Sequence, residues 1–416
     1  MIDENWRYFA PEGDITPGGP SSWYILDWDQ RRTIAVTMDE EQESEDAAIQ
    51  HLRKHIDSLG TDVYAIHVSQ DGDLISVSTN PEEDQATCVY YPPLKDFQLP
   101  SHVKTVLRSE LVELDRLGPN VDHVSYAPCA EATETSQAVF KYYFLLQFIH
   151  KVWHEMNLWM RLPPNKSIVP LERIVLDELY GHVVGFTSQY VPGGTLKEDQ
   201  SRTFRIEWLR QLTCVVDDLN LKYGIVHQDI SARNLLINPE TDAIMLFDFN
   251  YSGQIGGIGY SKHRDDVKGV IFTLYEIITR DTRFRSVPHP RQNPADVQEM
   301  EEWVQHPDVK LDNPVSEFRS VLNEWVDKRR KGKQITLYTE APEYIDWPDF
   351  PMPPPTDVVF SDGMGNSTVV PSVVLSNQRR DLREEGIAYL DWERPAQIKL
   401  DKEKILLATG QYLTTT

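Results

Sequence analysis

Alternating apolar and polar residues predict strands at Trp23–Asp27 and Thr33–Thr37, then at Val63–Val68 and Leu74–Ser78 around the turn Gln70-Asp71-Gly72-Asp73, because a strand turns successive side chains to opposite faces. Between the two pairs, Glu43–Leu59 has helical spacing and runs from acidic to basic, the order that suits a helix dipole. The acidic run Asp39–Asp46 reads as the solvated start of that helix. Residues 1–80 are therefore expected to form a small α+β unit. Pro81, Pro92, Pro93 and Pro100 then break the pattern, and 81–104 is expected to be a linker. From there to about residue 335 strand-like and helix-like segments alternate densely. Helices are predicted at Phe204–Lys222, Asp265–Arg280, Pro294–Gln305 and Pro314–Arg330. The stripes Val297, Met300, Trp303, Val304 and Phe318, Val321, Leu322, Trp325 are expected to pack in a core. Beyond Gln334 prolines recur (Pro348, Pro351, Pro353, Pro354, Pro355), so 336–416 is expected to wrap the surface or act as a linker, with one helix at Asn377–Glu385.

Composition narrows the class. A chain of 416 residues favours two or three folding units, and 40% hydrophobic residues are too many for a disordered protein. Lys plus Arg number 41 against 65 Asp plus Glu, a formal charge of −24. Such a surface repels phosphate backbones and anionic lipid, so neither nucleic acid nor membrane is expected as a partner. Cys88, Cys129 and Cys214 are widely spaced, which implies neither a disulfide framework nor a zinc site. The acidic N-terminus lacks a secretory signal, and the apolar stretch Val139–Ile149 is interrupted by Lys141 and Gln147 and too short to span a bilayer. An intracellular protein, cytoplasmic or nuclear, is expected. The basic run Lys328–Lys333 is expected to complement a helix C-terminus capped by Gly332, the alternative being a nuclear-import signal.

The chemistry concentrates in Ile225-Val226-His227-Gln228-Asp229-Ile230-Ser231-Ala232-Arg233-Asn234-Leu235-Leu236-Ile237. Two apolar runs clamp a polar loop, fixing a carboxylate and an amide at set separation. A further apolar strand, Ala243–Phe247, delivers Asp248-Phe249-Asn250, with Asp248 following Asp229 by 19 residues. That interval suits a hairpin whose ends return to one place, and oxygen donors from Asn234 and Asp248 suit Mg²⁺. Upstream, Lys141 interrupts the strand-like run Ala138–Tyr142, and Glu155 follows on a helical segment, Val152–Leu158. Glu131 and Glu134 precede the strand and are poorer partners for the lysine.

This order of motifs resembles the protein-kinase superfamily over roughly Leu107 to Arg280: His227-Gln228-Asp229 resembles its His-Arg-Asp loop and Asp248-Phe249-Asn250 its Asp-Phe-Gly. The resemblance implies an α+β, bilobal kinase-like fold with a small β-rich N-lobe at about 105–191 and a larger helical C-lobe at about 192–335, preceded by the α+β extension. It implies ATP and Mg²⁺ as cofactors and phosphoryl transfer to a hydroxyl, with protein Ser/Thr favoured. Asp229 would orient the attacking hydroxyl, Lys141 the ATP phosphates, and Glu155 would steady Lys141. Asn234 and Asp248 would hold the metal. In Gly185–Leu196, the Gln189 carbonyl and Val191 amide would read adenine beside Ser188, and Asp266 would brace the catalytic loop.

Four features depart from the family pattern. Leu117–Val124 stands where a Gly-x-Gly-x-x-Gly loop is usual and has one glycine, and Asp122 there is expected to repel phosphates. Gln228 replaces the arginine that reads a phosphorylated activation loop, so that switch is expected to be absent. Asn250 replaces glycine, and the turn is expected to survive because Asn tolerates left-handed angles. Asp266 follows Asp248 by only 18 residues, with Gly253, Gly256, Gly257 and Gly259 between them. The short segment keeps two alternatives open: a small-molecule kinase similar to aminoglycoside or choline phosphotransferases, and a non-catalytic, pseudokinase-type binding module.

Overall fold

The N-terminal alternation becomes a five-stranded sheet in the computed structural model, which describes residues 2–127, 135–361, 367–401 and 403–413. Its strands are β1 (Tyr8–Ile15), β2 (Ser21–Asp27), β3 (Arg32–Met38), β4 (Ala65–Val68) and β5 (Leu74–Ser78), in spatial order of sequence. Only β3 and β4 run parallel, and helix α1 (Asp46–His55) makes the crossover between them. One sheet face (Ile25, Ile34, Val36, Met38, Ile66, Val68) packs with Ala48 and Leu52 of α1 into an apolar core. The helix starts at Asp46, not Glu43. Strand β1 was not predicted: Pro11 and Gly13 blur its alternation, and its register slips between Phe9 and Glu12.

Residues 81–104 are more than a linker. They hold strand β6 (Thr87–Val89), and strand β7 begins at their end (Lys104–Leu107). Four further strands, β8 (Val112–Gly118), β9 (Val121–Tyr126), β10 (Ser136–Tyr142) and β11 (Leu171–Leu176), join β12 (Val183–Gln189) and β7 in one sheet of order β7-β11-β12-β10-β9-β8. Helix α2 (Ile149–Trp159) lies between β10 and β11 in the chain. On the central strand β12, Gly185 is required by close approach, since a Cβ there would fall 2.1 Å from the Lys141 carbonyl oxygen of β10.

The remaining elements are mostly helical. Strand β13 (Thr203–Phe204) leads into α3 (Ile206–Asp217), whose buried stripe includes Trp208, Leu209, Leu212 and Val216. Short strands β14 (Ile225–Val226), β15 (Leu235–Ile237), β16 (Ile244–Leu246) and β17 (Gly253–Gln254) follow, then α4 (Asp266–Thr279), α5 (Ala295–Gln298), β18 (Lys310–Leu311) and α6 (Val315–Lys331). The helix expected over Pro294–Gln305 is confined to α5. There the chain folds back, with the Trp303 indole donating to the Val297 carbonyl (2.9 Å) and the His306 amide to that of Ile278 (3.0 Å). In the basic run, Arg329 pairs with Asp217 (2.7 Å) and donates to Asn220 (2.9 Å), and the Gly332 amide closes on the Lys328 carbonyl. Gly332 caps with φ −80°, not in the left-handed region.

The C-terminal segment holds β19 (Thr356–Ser361), β20 (Ser367–Ser372), β21 (Ser376–Gln378) and α7 (Arg379–Glu384), the last within the expected helix. The chain divides into two compact units: residues 1–152, 172–188 and 350–416 form one, and 153–171 with 189–349 the other. The C-terminal segment is thus part of the first unit's core. Strand β21 pairs with β6, and Trp392 stacks on Tyr142 with ring centroids 4.7 Å apart. Arg108 lies over the other aromatic edge of this cluster, 4.5 Å from the Trp392 centroid. Among the described residues no helix is long and apolar enough to cross a membrane, and Cys88 and Cys214 are free. Cys129, Glu131 and Glu134 lie outside the described residues.

Candidate functional site

The motif loop is built in the second unit by two clamps. Strands β15 and β16 form a hairpin, Leu235 opposite Leu246, so Asn234 and Asp248 emerge at the same end of it. The Phe247 amide donates to the Asn234 carbonyl (3.3 Å), and His227 Nε2 bonds the Phe247 carbonyl (3.0 Å). The second clamp is α4, whose N-cap Asp265 accepts from the Lys268 amide. In its first turn Asp266 is buried and accepts from the His227 (2.8 Å) and Gln228 (2.7 Å) amides and from Asn220 Nδ2 (2.8 Å). Burial raises the Asp266 pKa against these hydrogen bonds and the neighbouring His227. Two donated amides hold the loop's backbone. Asp266 is therefore the brace that the sequence implied.

Within the loop Asp229 and Asn234 meet directly. Asn234 Nδ2 donates to the Asp229 carbonyl (2.8 Å) and to Asp229 Oδ2 (2.9 Å). This turns the amide oxygen of Asn234 away from Asp229, the orientation in which it can serve a cation. Arg233 donates to both Asp229 carboxylate oxygens at 2.8 Å. Asp229 is 7% exposed while the Arg233 side chain is 51% exposed. The pair joins a buried carboxylate to a half-exposed guanidinium four residues further along the loop.

Asp248 takes the left-handed angle expected of Asn250: φ is 65° at Asp248, and Asn250 sits in a 3₁₀ turn, Phe249–Tyr251. The correction has a local cause. Phe249 is buried between Trp159 (ring centroids 5.2 Å) and His227 (5.0 Å), and reaching that slot requires the reversal one residue earlier. Asn250 Nδ2 then donates to Asp248 Oδ2 (3.2 Å), leaving Asn250 Oδ1 buried without a hydrogen-bond partner. Carboxylate and amide oxygens are hard donors of the kind Mg²⁺ prefers, and Asn250 Oδ1 is the one that the structure leaves without a hydrogen bond. Among the described residues no three His, Cys, Asp or Glu side chains group to hold a metal alone, so other oxygens would have to complete such a site.

The remaining predicted residues lie as follows. Lys141 is buried on β10, opposite Val121 of β9, and Ser188 is buried on the neighbouring strand β12. These two belong to the first unit, whereas Glu155 (buried, on α2), Gln189 and buried Val191 belong to the second with Asp229, Asn234 and Asp248.

Asp122 does not repel a ligand, contrary to expectation, because the turn Pro119-Asn120 closes β8 onto β9 and folds it inward. It is fully buried, 3.3 Å from Arg116 Nε and 3.4 Å from Arg31. Glu113 joins the cluster through Arg31 (3.3 Å) and Arg394 (2.8 Å). Burial pushes the Asp122 carboxyl up to about 6 despite Arg116. Its proton linkage therefore stabilises the fold fully below the unfolded value of 3.8, and this contribution is lost as pH rises through about 6. Relative to Asp122→Asn, which cannot titrate, the wild type should lose on the order of 1 kcal/mol of unfolding free energy between pH 5 and pH 7.5. Urea denaturation of both proteins across that range checks this, and a constant difference would contradict it.

Sequence reasoning missed Asn220, Trp159 and the Arg233–Asp229 pair. The signal for Arg233 was its i, i+4 spacing from Asp229; Asn220 and Trp159 carry none, because their contacts with Asp266 and Phe249 join residues distant in the chain. Compared with protein-family models and with curated proteins, the chain matches none.

Proposed function

We propose that the chain transfers the γ-phosphoryl group of Mg²⁺-ATP to a hydroxyl acceptor, with protein Ser/Thr favoured, and that residues of about 105–191 and about 192–335 are the small and large lobes of a kinase-like fold. The observation that carries this reading is the contact between Asp229 and Asn234, on a loop braced by Asp266, at the end of the hairpin from which Asp248 also emerges. Bound Mg²⁺ would neutralise phosphate charge. Asn234 and Asp248 would hold it, with Asn250 Oδ1 within reach of the same carboxylate. Asp229 would align the acceptor hydroxyl and take its proton once Arg233 swings toward solvent, a motion its exposure permits. Lys141 would orient phosphates with Glu155 as its support. The Gln189 carbonyl and Val191 amide would read the adenine edge, and Ser188 would leave room for it.

Mg²⁺-ATP at about 100 times its dissociation constant should stabilise the wild type by about 2.7 kcal/mol, raising its Tm. No shift at millimolar nucleotide, with or without Mg²⁺, would overturn the reading.

A binding module without transfer is the second reading, and the Arg233–Asp229 pair favours it: both carboxylate oxygens are occupied as the structure stands. Labelled ATP offered to protein, peptide and metabolite pools separates the two, since a module binds nucleotide but leaves no label on any acceptor.

A further inference from the structure

One side chain fastens the segment that follows Asp248. Gln228 has a left-handed backbone (φ 64°) that aims its amide across this segment. Its Nε2 donates to the Tyr251 carbonyl (2.5 Å) and the Gly259 carbonyl (2.7 Å), while its Oε1 accepts from the Ser261 amide (2.5 Å). Three backbone points spread over eleven residues thus meet one neutral amide, which uses both donors and its acceptor. The neighbouring contacts act in the same sense. Val226 of β14 pairs with Gly253 of β17, and Ser252 Oγ donates to the His227 carbonyl (3.4 Å). A Cβ on Gly253 would lie 2.5 Å from Gly259, so the segment doubles back on itself too closely for any other residue. Arg264 lies over the Tyr251 ring at 4.4 Å and donates to the Gln228 carbonyl (3.5 Å).

We infer that Gln228 is a positioning residue: by bonding three peptide groups it holds residues 251–261 in the arrangement that follows Asp248 and Asn250. The consequence for nucleotide binding rests on the phosphotransfer reading; the fastening itself does not.

Gln228→Glu tests it with nearly unchanged shape. The carboxylate can still accept from Ser261 but confronts the Tyr251 and Gly259 carbonyls with an oxygen instead of a donor. Gln228→Ala is the second variant. Hydrogen–deuterium exchange of the full chain should show amides of 252–261 exchanging at least about 10-fold faster in both variants, with α3 and α4 unaffected. In the same proteins the apparent dissociation constant for Mg²⁺-ATP should rise by about 10-fold.

Unchanged exchange at 252–261 would overturn the inference, as would equal acceleration throughout α3 and α4, which marks general destabilisation. Local acceleration with an unaltered nucleotide constant would overturn the positioning role. If the wild type binds no nucleotide yet the local acceleration appears, the fastening stands and the phosphotransfer reading falls.

Discussion

If the proposed phosphotransfer holds, Asp229→Asn should lower it by about 10²–10⁴-fold, the range a positioned proton acceptor supplies, while leaving the protein folded and its proposed Mg²⁺-ATP binding intact. The fold should survive because asparagine keeps an oxygen for Asn234 Nδ2 and for Arg233, the latter half-exposed and able to be solvated when its partner loses charge. Asp248→Ala should behave differently. It removes the carboxylate at the hairpin end and strips Asn250 Nδ2 of its acceptor, so the Mg²⁺-ATP-induced rise in Tm should vanish together with transfer. The pair of variants thus divides chemistry from binding. Transfer of labelled γ-phosphate by Asp229→Asn at the wild-type rate would remove Asp229 from the reaction. A full Tm shift in Asp248→Ala would remove Asp248 from the cofactor site.

Local and periodic features were legible in advance. The strands β2 to β5 and the helices α3, α4 and α6 follow from patterns within a few residues, where side-chain period acts directly, whereas the brace Asp266 was implied only by the resemblance. Asp229, Asn234 and Asp248 were legible as a set because a hairpin of fixed length returns its ends to one place. What escaped prediction depends on partners far along the chain. Asp122 looked like a loop carboxylate facing solvent until Arg31, 91 residues away, and Arg394 were seen to close over its cluster. The proline-rich C-terminal segment gave no sign that Trp392 would fill an aromatic core with Tyr91 and Tyr142. The left-handed angle moved from Asn250 to Asp248 because burial of Phe249, not intrinsic preference, decides where the chain reverses.

That same C-terminal segment leads to the largest expected loss of stability. Asp84→Ala should cost about 3–5 kcal/mol, as removal of one partner from a buried ion pair does. Asp84 is fully buried and receives Arg379 Nε (2.7 Å), Arg379 NH2 (3.0 Å) and Arg383 NH2 (2.9 Å). Arg379 is itself buried and, though burial opposes its charge, Glu393 and Asp84 keep its pKa above the usual value. Glu393, 2.7 Å from Arg379, cannot compensate fully, because burial already disfavours its own charge. The Arg379 amide also donates to the Ala86 carbonyl, continuing the β6–β21 pairing, so an unpaired guanidinium would strain the strand contact beside it. Urea denaturation monitored by tryptophan fluorescence measures the cost. Arg379→Leu combined with Asp84→Leu should recover part of it, since that pair is removed whole, while Glu393, whose charge burial already disfavours, can take a proton and the partly exposed Arg383 can turn to solvent. Equal losses in the single and double variants would show that the segment is held by its aromatic contacts and not by the ion pair.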